Sequence, residues 1–406
     1  MSTDTNVADL SSSGARHGDN RPGMLERPLS RMLRPDTGAS RLRARPELYT
    51  AYAQDMALLN TRGKQTGAGI GLIIAVVAPF LLGNDWVLLL SGAMVFAIGA
   101  IGLNIITGYA GQVSLGHAFF VGLGAYTAAA MSGDPDGSLM GLGITFVPLW
   151  LLAAGVVSAV AGALVAPIAL RLKGLYLAIV TLGLVLLGEH IFKEASGITG
   201  GPGVGRQGTV STFFGGRFDV DGAMFGVEMT RSQKVYLLVL VVLVVLGVIA
   251  RNVGRSDLGR AFSAVRDRDI AAEVIGVDLT RAKVLAFVIG SFYAGVAGAL
   301  LVTVNEFFDP GSFNLLLSIR FIAMILIGGV ATISGAVMGA VFIALLPRIS
   351  FELVEHLPEA AGLSPSVVEG LLYGTLLIGF LIVEPRGLFG LWFRIRNYWK
   401  AWPFSY

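Results

Sequence analysis

Two glycine-rich stretches and a few polar residues inside apolar runs are the parts of this 406-residue chain whose types and spacing could do chemistry. "GKQTGAG" at 63–69 and "GGPGVG" at 200–205 are of the kind whose backbone N–H groups cradle phosphate. The first lacks the upstream glycine of a nucleotide-binding P-loop, and Lys64 is followed by Gln65 where a magnesium-binding Ser or Thr is needed. The second has no lysine. If ATP drives this protein, another chain must bind it.

The interior polar residues are Asn104, Ser114, His117, Thr181 and Arg320. No carboxylate pair, Ser–His–Asp arrangement or metal cluster can be assembled from them, so no catalytic or metal-binding residue is assigned. There is no cysteine, which excludes disulfides, thiol nucleophiles and Cys-ligated metals. Glu189 and His190 lie about 22 Å along their apolar stretch, at 1.5 Å per helical residue, and so fall near its far end. Proton- or sodium-driven carriers usually keep ionisable groups within the bundle, and the lack of mid-span carboxylates disfavours that class. An intramembrane enzyme is more remote still.

"GYAGQVSLGHAFF" at 108–120 is the most distinctive stretch. Gly108, Gly111 and Gly116 permit a broken or re-entrant backbone, which lipid tolerates only where it is buried or lines a cavity. It fits a structural turn. It also fits a translocation path lined by Asn104, Ser114 and His117, with Thr181 a further candidate, though the turn is the simpler reading.

The elements that must position these residues follow from hydropathy. Only 14% of residues are charged, where a soluble domain carries roughly 25%. The chain is expected to be an all-α, polytopic helical bundle in a membrane. Ten apolar stretches are long enough to serve as spans: 66–83, 85–107, 113–131, 143–168, 174–193, 234–250, 284–304, 314–331, 335–351 and 366–384. With ten spans, the Arg-rich tail at 1–65, Arg171 and Lys173, the basic segment at 251–283, and Arg386, Arg394, Arg396 and Lys400 all share one side. The opposite loops "SGDPDGSLM" and "NEFFDPGSFN" hold no Lys or Arg. The positive-inside rule then places both termini in the cytoplasm. The domains expected are a polar tail at 1–65, a transmembrane domain at 66–391 and a cytoplasmic C-terminal tail at 392–406. Within the first tail, 46–60 has the spacing of an amphipathic surface helix and also fits a flexible segment.

Ser291 and Gly295, Ala294 and Gly298, and Gly335 and Gly339 are small residues four apart, as close helix packing in lipid requires. "GYAGQVS" (108–114) and "GGVATIS" (328–334) echo one another. The echo suggests two related halves, spans 2–5 and 7–10, and fits two glycine-rich breaks that converged by chance.

The charged interruption at 251–283 carries helical periodicity. Leu258, Ala261, Phe262 and Val265 share one face behind Asp257 as N-cap. Asp269 is expected to cap a second short helix that Gly276 ends, with Ile270, Ala271, Val274 and Ile275 as its apolar side. Asp278 or Thr280 can cap the next span. Such helices fit either a surface resting on anionic headgroups or a handle offered to a cytoplasmic partner.

Six ordered blocks carry a resemblance. They are "GLNIITGYAGQVSLGHAFFVGLGAYTAA", "RLKGLYLAIVTLG", "TGGPGVG", "LGRAFSAVRDRDIAAEVIGVDLTRAKVLAFVIGSFYAGVAGAL", "DPGSFNLLLSI" and "EPRGLFG". From about residue 66 to 391 the chain resembles the LivM-like permease subunits of branched-chain amino acid ABC importers. The resemblance implies a ten-span permease importing leucine, isoleucine, valine or a related amino acid at the bacterial inner membrane. Urea, short amides or another small polar solute is the alternative cargo.

The implied partners are a second permease, two cytoplasmic ATPases holding ATP and Mg, and an extracytoplasmic binding protein; membrane lipid surrounds the chain, and nucleic acid has no part. This chain would hold no cofactor itself. The family's E-A-A-x-x-x-G coupling motif falls on Ile270, Ala271, Ala272 and Gly276, with isoleucine in place of glutamate. Asp269, Ala271, Ala272, Glu273 and Gly276 are thereby the expected coupling residues. Arg320 is a second departure, at a place where the family leads one to expect a neutral or acidic residue.

Overall fold

Apolar stretches of this length satisfy their backbone in lipid by forming helices, and helices dominate the molecule. The computed structural model describes residues 62–172, 174–207, 212–213, 216–218, 220–224, 226–355, 365–384 and 386–401. The helix expected at 46–60 lies outside them.

In chain order the apolar helices are α1 (Arg62–Leu81), α2 (Asn84–Leu103), α3 (His117–Ser132), α4 (Val147–Arg171), α5 (Leu175–Glu194) and α6 (Arg231–Arg255). Two short polar helices follow, α7 (Asp257–Asp267) and α8 (Asp269–Val274). Then come α9 (Leu279–Val304), α10 (Leu315–Gly328), α11 (Ile333–Glu355), α12 (Pro365–Val383) and the C-terminal α13 (Gly387–Ala401). Among the described residues, 7 helices are long and apolar enough to cross a membrane, and α1, α3 and α12 supply shorter apolar ones. The protein is a multi-pass membrane helical bundle.

α9 is the centre of the bundle. It packs along α2, α3 and α4, and most of its residues are buried. Close approach needs small residues: Gly124 of α3 abuts the backbone of Gly295, and Gly295 in turn abuts the Ala154 carbonyl and Ser158 of α4. Gly298 sits on the Val121 carbonyl, and Gly335 and Gly339 seat α11 on Gly328 of α10. The small-residue pairs of the sequence are therefore helix contacts.

The two ends of α9 define two ends of the bundle. At one end lie α7 and α8. Among the described residues the other carries three two-stranded antiparallel pieces that hydropathy does not signal, Arg206–Gln207 with Phe307–Phe308, Thr212–Phe213 with Gly216–Arg217, and Gly222–Met224 with Val227–Met229. Arg206 staples this end, donating from Nη1 to the Ile198 carbonyl at 2.5 Å and from Nη2 to those of Ala129 (2.6 Å) and Met140 (2.7 Å). Burial pulls its guanidinium below the usual arginine range, and nearby Tyr126 partly offsets this.

Three expected boundaries differ. The span expected at 113–131 begins only at His117, because Gly111 takes φ +68° and the chain turns irregularly through 110–116. Asp257 and Asp269 are not N-caps: Ser256 and Arg268 hold those places, and each aspartate sits in the first turn. There a carboxylate is still favoured by the helix dipole. Asp278 does cap α9, its Oδ1 accepting from the Arg281 N–H at 2.9 Å.

Candidate functional site

The end bearing α7 and α8 gathers most of the sequence's candidate residues. α7 buries Phe262 and Val265 against the bundle, with Leu258 and Ala261 half-buried beside them, so the expected face packs. α8 behaves differently. Only Ala272 is buried, while Ile270, Val274 and Ile275 are 78%, 82% and 74% exposed. Its apolar side points away from the protein that carries it. Gly276 ends the turn at φ +88°, its N–H donating to the Glu273 carbonyl at 3.0 Å. Val277 then donates to the Ala272 carbonyl at 2.9 Å, the double bond pattern that closes a helix on a left-handed residue.

Asp269 anchors α8 from beneath, its Oδ2 3.1 Å from Lys283 Nζ on α9. A cavity of about 510 Å³ opens beside this pair, lined by Asp269, Glu273, Asp278 and Lys283 among others. Asp269, Glu273 and Gly276 share this hollow. Ala271 is exposed, and Ala272 packs inward.

The four interior candidates meet at a break in α2. That helix runs into a π-helical turn at Asn104–Tyr109, and the chain then doubles back before α3 begins. Asn104, Ser114, His117 and Thr181 are all buried, and each bonds to this chain. Thr181 Oγ1 accepts from the Leu115 N–H at 2.9 Å, and Ser114 Oγ from that of Gly116 at 3.3 Å. His117 Nε2 lies 2.8 Å from the Gly99 carbonyl, with its ring edge-on to Phe321 at 4.9 Å. Ser318 of α10, which no sequence signal marked, accepts from the Ala118 N–H at 3.0 Å. Irregular backbone within a membrane protein needs internal partners, and three hydroxyls provide them.

Asn104 reaches furthest. Its Oδ1 accepts from the Ala331 N–H at 2.8 Å and its Nδ2 donates to the Thr332 carbonyl at 3.0 Å. Ala331 and Thr332 belong to the second break, between α10 and α11, where Gly329 and Ala331 both take positive φ. The two breaks are thus held together by one amide. Arg266 of α7 joins the first break too, its Nη1 donating to the Gly108 carbonyl at 3.1 Å.

Arg320 lies elsewhere, its guanidinium 5.5 Å from the Tyr373 ring beside a cavity of about 180 Å³ between α2, α10, α11 and α12. Among the described residues no group of His, Cys, Asp and Glu is placed to hold a metal. Sequence reasoning missed Arg266, Lys283 and Ser318 as positioning groups. Arg266 and Lys283 carried a signal only as basic residues at one end of a span.

Comparison with known proteins bears on what this arrangement serves. The family model described as the permease component of branched-chain amino acid transport systems matches residues 86–381. The high-affinity branched-chain amino acid transport system permease protein LivM of Salmonella typhimurium is 35% identical over 330 residues, covering 78% of this chain and 73% of that protein. LivM of Escherichia coli is 33% identical over the same shares. The permease protein LivH of Salmonella typhimurium is 25% identical over 307 residues, covering 73% of this chain and 91% of its own. No solved structure matches the chain.

Proposed function

The chain belongs to the family of branched-chain amino acid transport permeases, and from that premise we propose that it is the membrane subunit of an ABC importer moving leucine, isoleucine, valine or a close relative into the cell. The observation that carries the reading is the match across 86–381, which takes in both helix breaks and the α7–α8 segment. ATP and Mg reside on two separate cytoplasmic ATPases, this chain having no nucleotide loop of its own. A second permease completes the pathway, and an extracytoplasmic binding protein delivers the amino acid.

In this reading the α7–α8 end is cytoplasmic, as are both termini, and the strand-bearing end faces outward. The exposed Ile270, Val274 and Ile275 seat in a groove of the ATPase, an amphipathic helix in a hydrophobic cleft. Asp269, Ala271, Ala272, Glu273 and Gly276 give that helix its shape and footing. Asn104, Ser114, His117 and Thr181 hold the broken backbone that borders the amino acid's path. Weak contact with the cargo suits a transporter, because a tightly held solute is released slowly.

The test is uptake of radiolabelled leucine by proteoliposomes holding the complex purified through this chain. ATP-dependent accumulation, competed by isoleucine and valine and not by urea, is expected. Accumulation without ATP, or driven by a proton or sodium gradient alone, overturns the reading.

A further inference from the structure

The structure ties the surface helices to both helix breaks through two side chains. Resting on the permease reading above, we propose that Arg266 and Asn104 form a positioning relay, which carries displacement of α7 and α8 into the first break and from there into the second.

The relay is a continuous series of short contacts. Arg266 donates to the Gly108 carbonyl at 3.1 Å, and its aliphatic stem packs on Gly111, where a methyl group would lie 2.8 Å from Cγ. Gly108 presses on the Asn104 amide so closely that no Cβ fits, and one built there would also fall 2.7 Å from the Ala331 nitrogen. Asn104 completes the series with its paired bonds to Ala331 and Thr332. Beyond the second break, Gly329 and Gly387 bring the α12–α13 turn against the same backbone.

Two physical arguments favour transmission over scaffolding. The breaks are where the helical ladder is interrupted, so they yield at lower cost than the helices between them. The centre of the bundle cannot yield, because Gly124, Gly295 and Gly298 are in backbone contact with their neighbours. Motion entering at α7 is therefore absorbed at the breaks, and Arg266, whose side chain is 36% exposed and also pairs with Asp267, meets the first break through a charge-assisted bond. Asn104 is the link that makes the second break follow the first.

The test uses the complete complex in proteoliposomes, with leucine as probe. Arg266→Gln and Asn104→Leu are each expected to lower leucine transported per ATP hydrolysed by about tenfold, within the span typical of coupling residues. Arg266→Lys keeps a donor and should restore most of the ratio. The double variant should lose no more than the worse single one, because both interrupt one series. Losses that multiply, or an unchanged ratio in both single variants, overturn the relay.

A second readout needs no transport. The chain has no cysteine, so spin labels can be attached at Asp257→Cys of α7, where the side chain is 93% exposed and outside the proposed docking face, and at Val330→Cys alone. The distance between them should be narrowly distributed in the parent complex and broadened by Arg266→Gln or Asn104→Leu, with Arg266→Lys close to the parent. Undisturbed distributions in both variants overturn the relay. If the parent complex transports no leucine, the proposed function falls, and the distance measurement alone decides the relay.

Discussion

Asp269 and Lys283 meet 3.1 Å apart with unequal burial, the lysine side chain 4% exposed and the aspartate 21%. This inequality fixes which partner matters more. Asp269→Ala strands a buried cation, at a cost of about 3 kcal/mol, whereas Lys283→Met leaves a carboxylate that water still reaches, at about 1 kcal/mol. Thermal unfolding of the purified complex should therefore show the larger drop for Asp269→Ala. Equal drops would mean that the pair's burial does not govern its strength.

Ile270 tests the docking surface. It is 78% exposed, so Ile270→Ser removes almost no internal packing and should leave the melting temperature unchanged. The yield of the proposed ATPase partner in co-purification should fall by about tenfold, as for an interface anchor worth more than 1 kcal/mol. Undiminished co-purification would remove α8 from the interface.

Gly276 separates conformation from space. It has φ +88°, and nothing lies within 4 Å of where a Cβ would point. Gly276→Ala pays only the left-handed backbone strain, about 1–2 kcal/mol, and Gly276→Asn less, since asparagine visits that region more readily. Gly276→Pro cannot adopt the angle and also loses the bond to the Glu273 carbonyl. The expected order of leucine uptake is Gly, Asn, Ala, Pro, read in cells at matched membrane levels. A proline variant as active as the parent would show that the turn is not needed for coupling.

Legibility in the sequence was uneven, for physical reasons that particular residues illustrate. Ten apolar stretches became ten helices because burial in lipid depends on local composition. The face of Phe262 and Val265 was readable from spacing within α7. The helix starts at Asp257 and Asp269 were each read one residue late, since an aspartate is favoured both at the N-cap and just inside it. The Arg266–Gly108 and Asn104–Ala331 bonds join residues 158 and 227 positions apart. No periodicity records such pairs. The echo of "GYAGQVS" in "GGVATIS" marked the Ala331 end of the second bond and began four residues past Asn104, at its other end.

Arg206 predicts the behaviour of the opposite end. Its guanidinium serves three carbonyls, and Arg206→Met leaves them without that donor, costing about 3 kcal/mol. Arg206→Lys should recover only part of this, because an ammonium lacks the planar fork. The measurement is limited proteolysis across 195–230 together with thermal unfolding, and a methionine variant as resistant as the parent would dismiss the staple.

The glycine seam of α3, α4 and α9 has one further consequence. Where Gly124, Gly295 and Gly298 leave no gap between backbones, any turning that the proposed transport cycle demands of these three helices would be that of a single beam, with the seam as its fulcrum. The stroke delivered at one end is then set by the length of helix on either side of the seam. Methyl groups added at those glycines would run into neighbouring backbone and force the three helices apart, so the seam sets the integrity of the beam as well as its pivot.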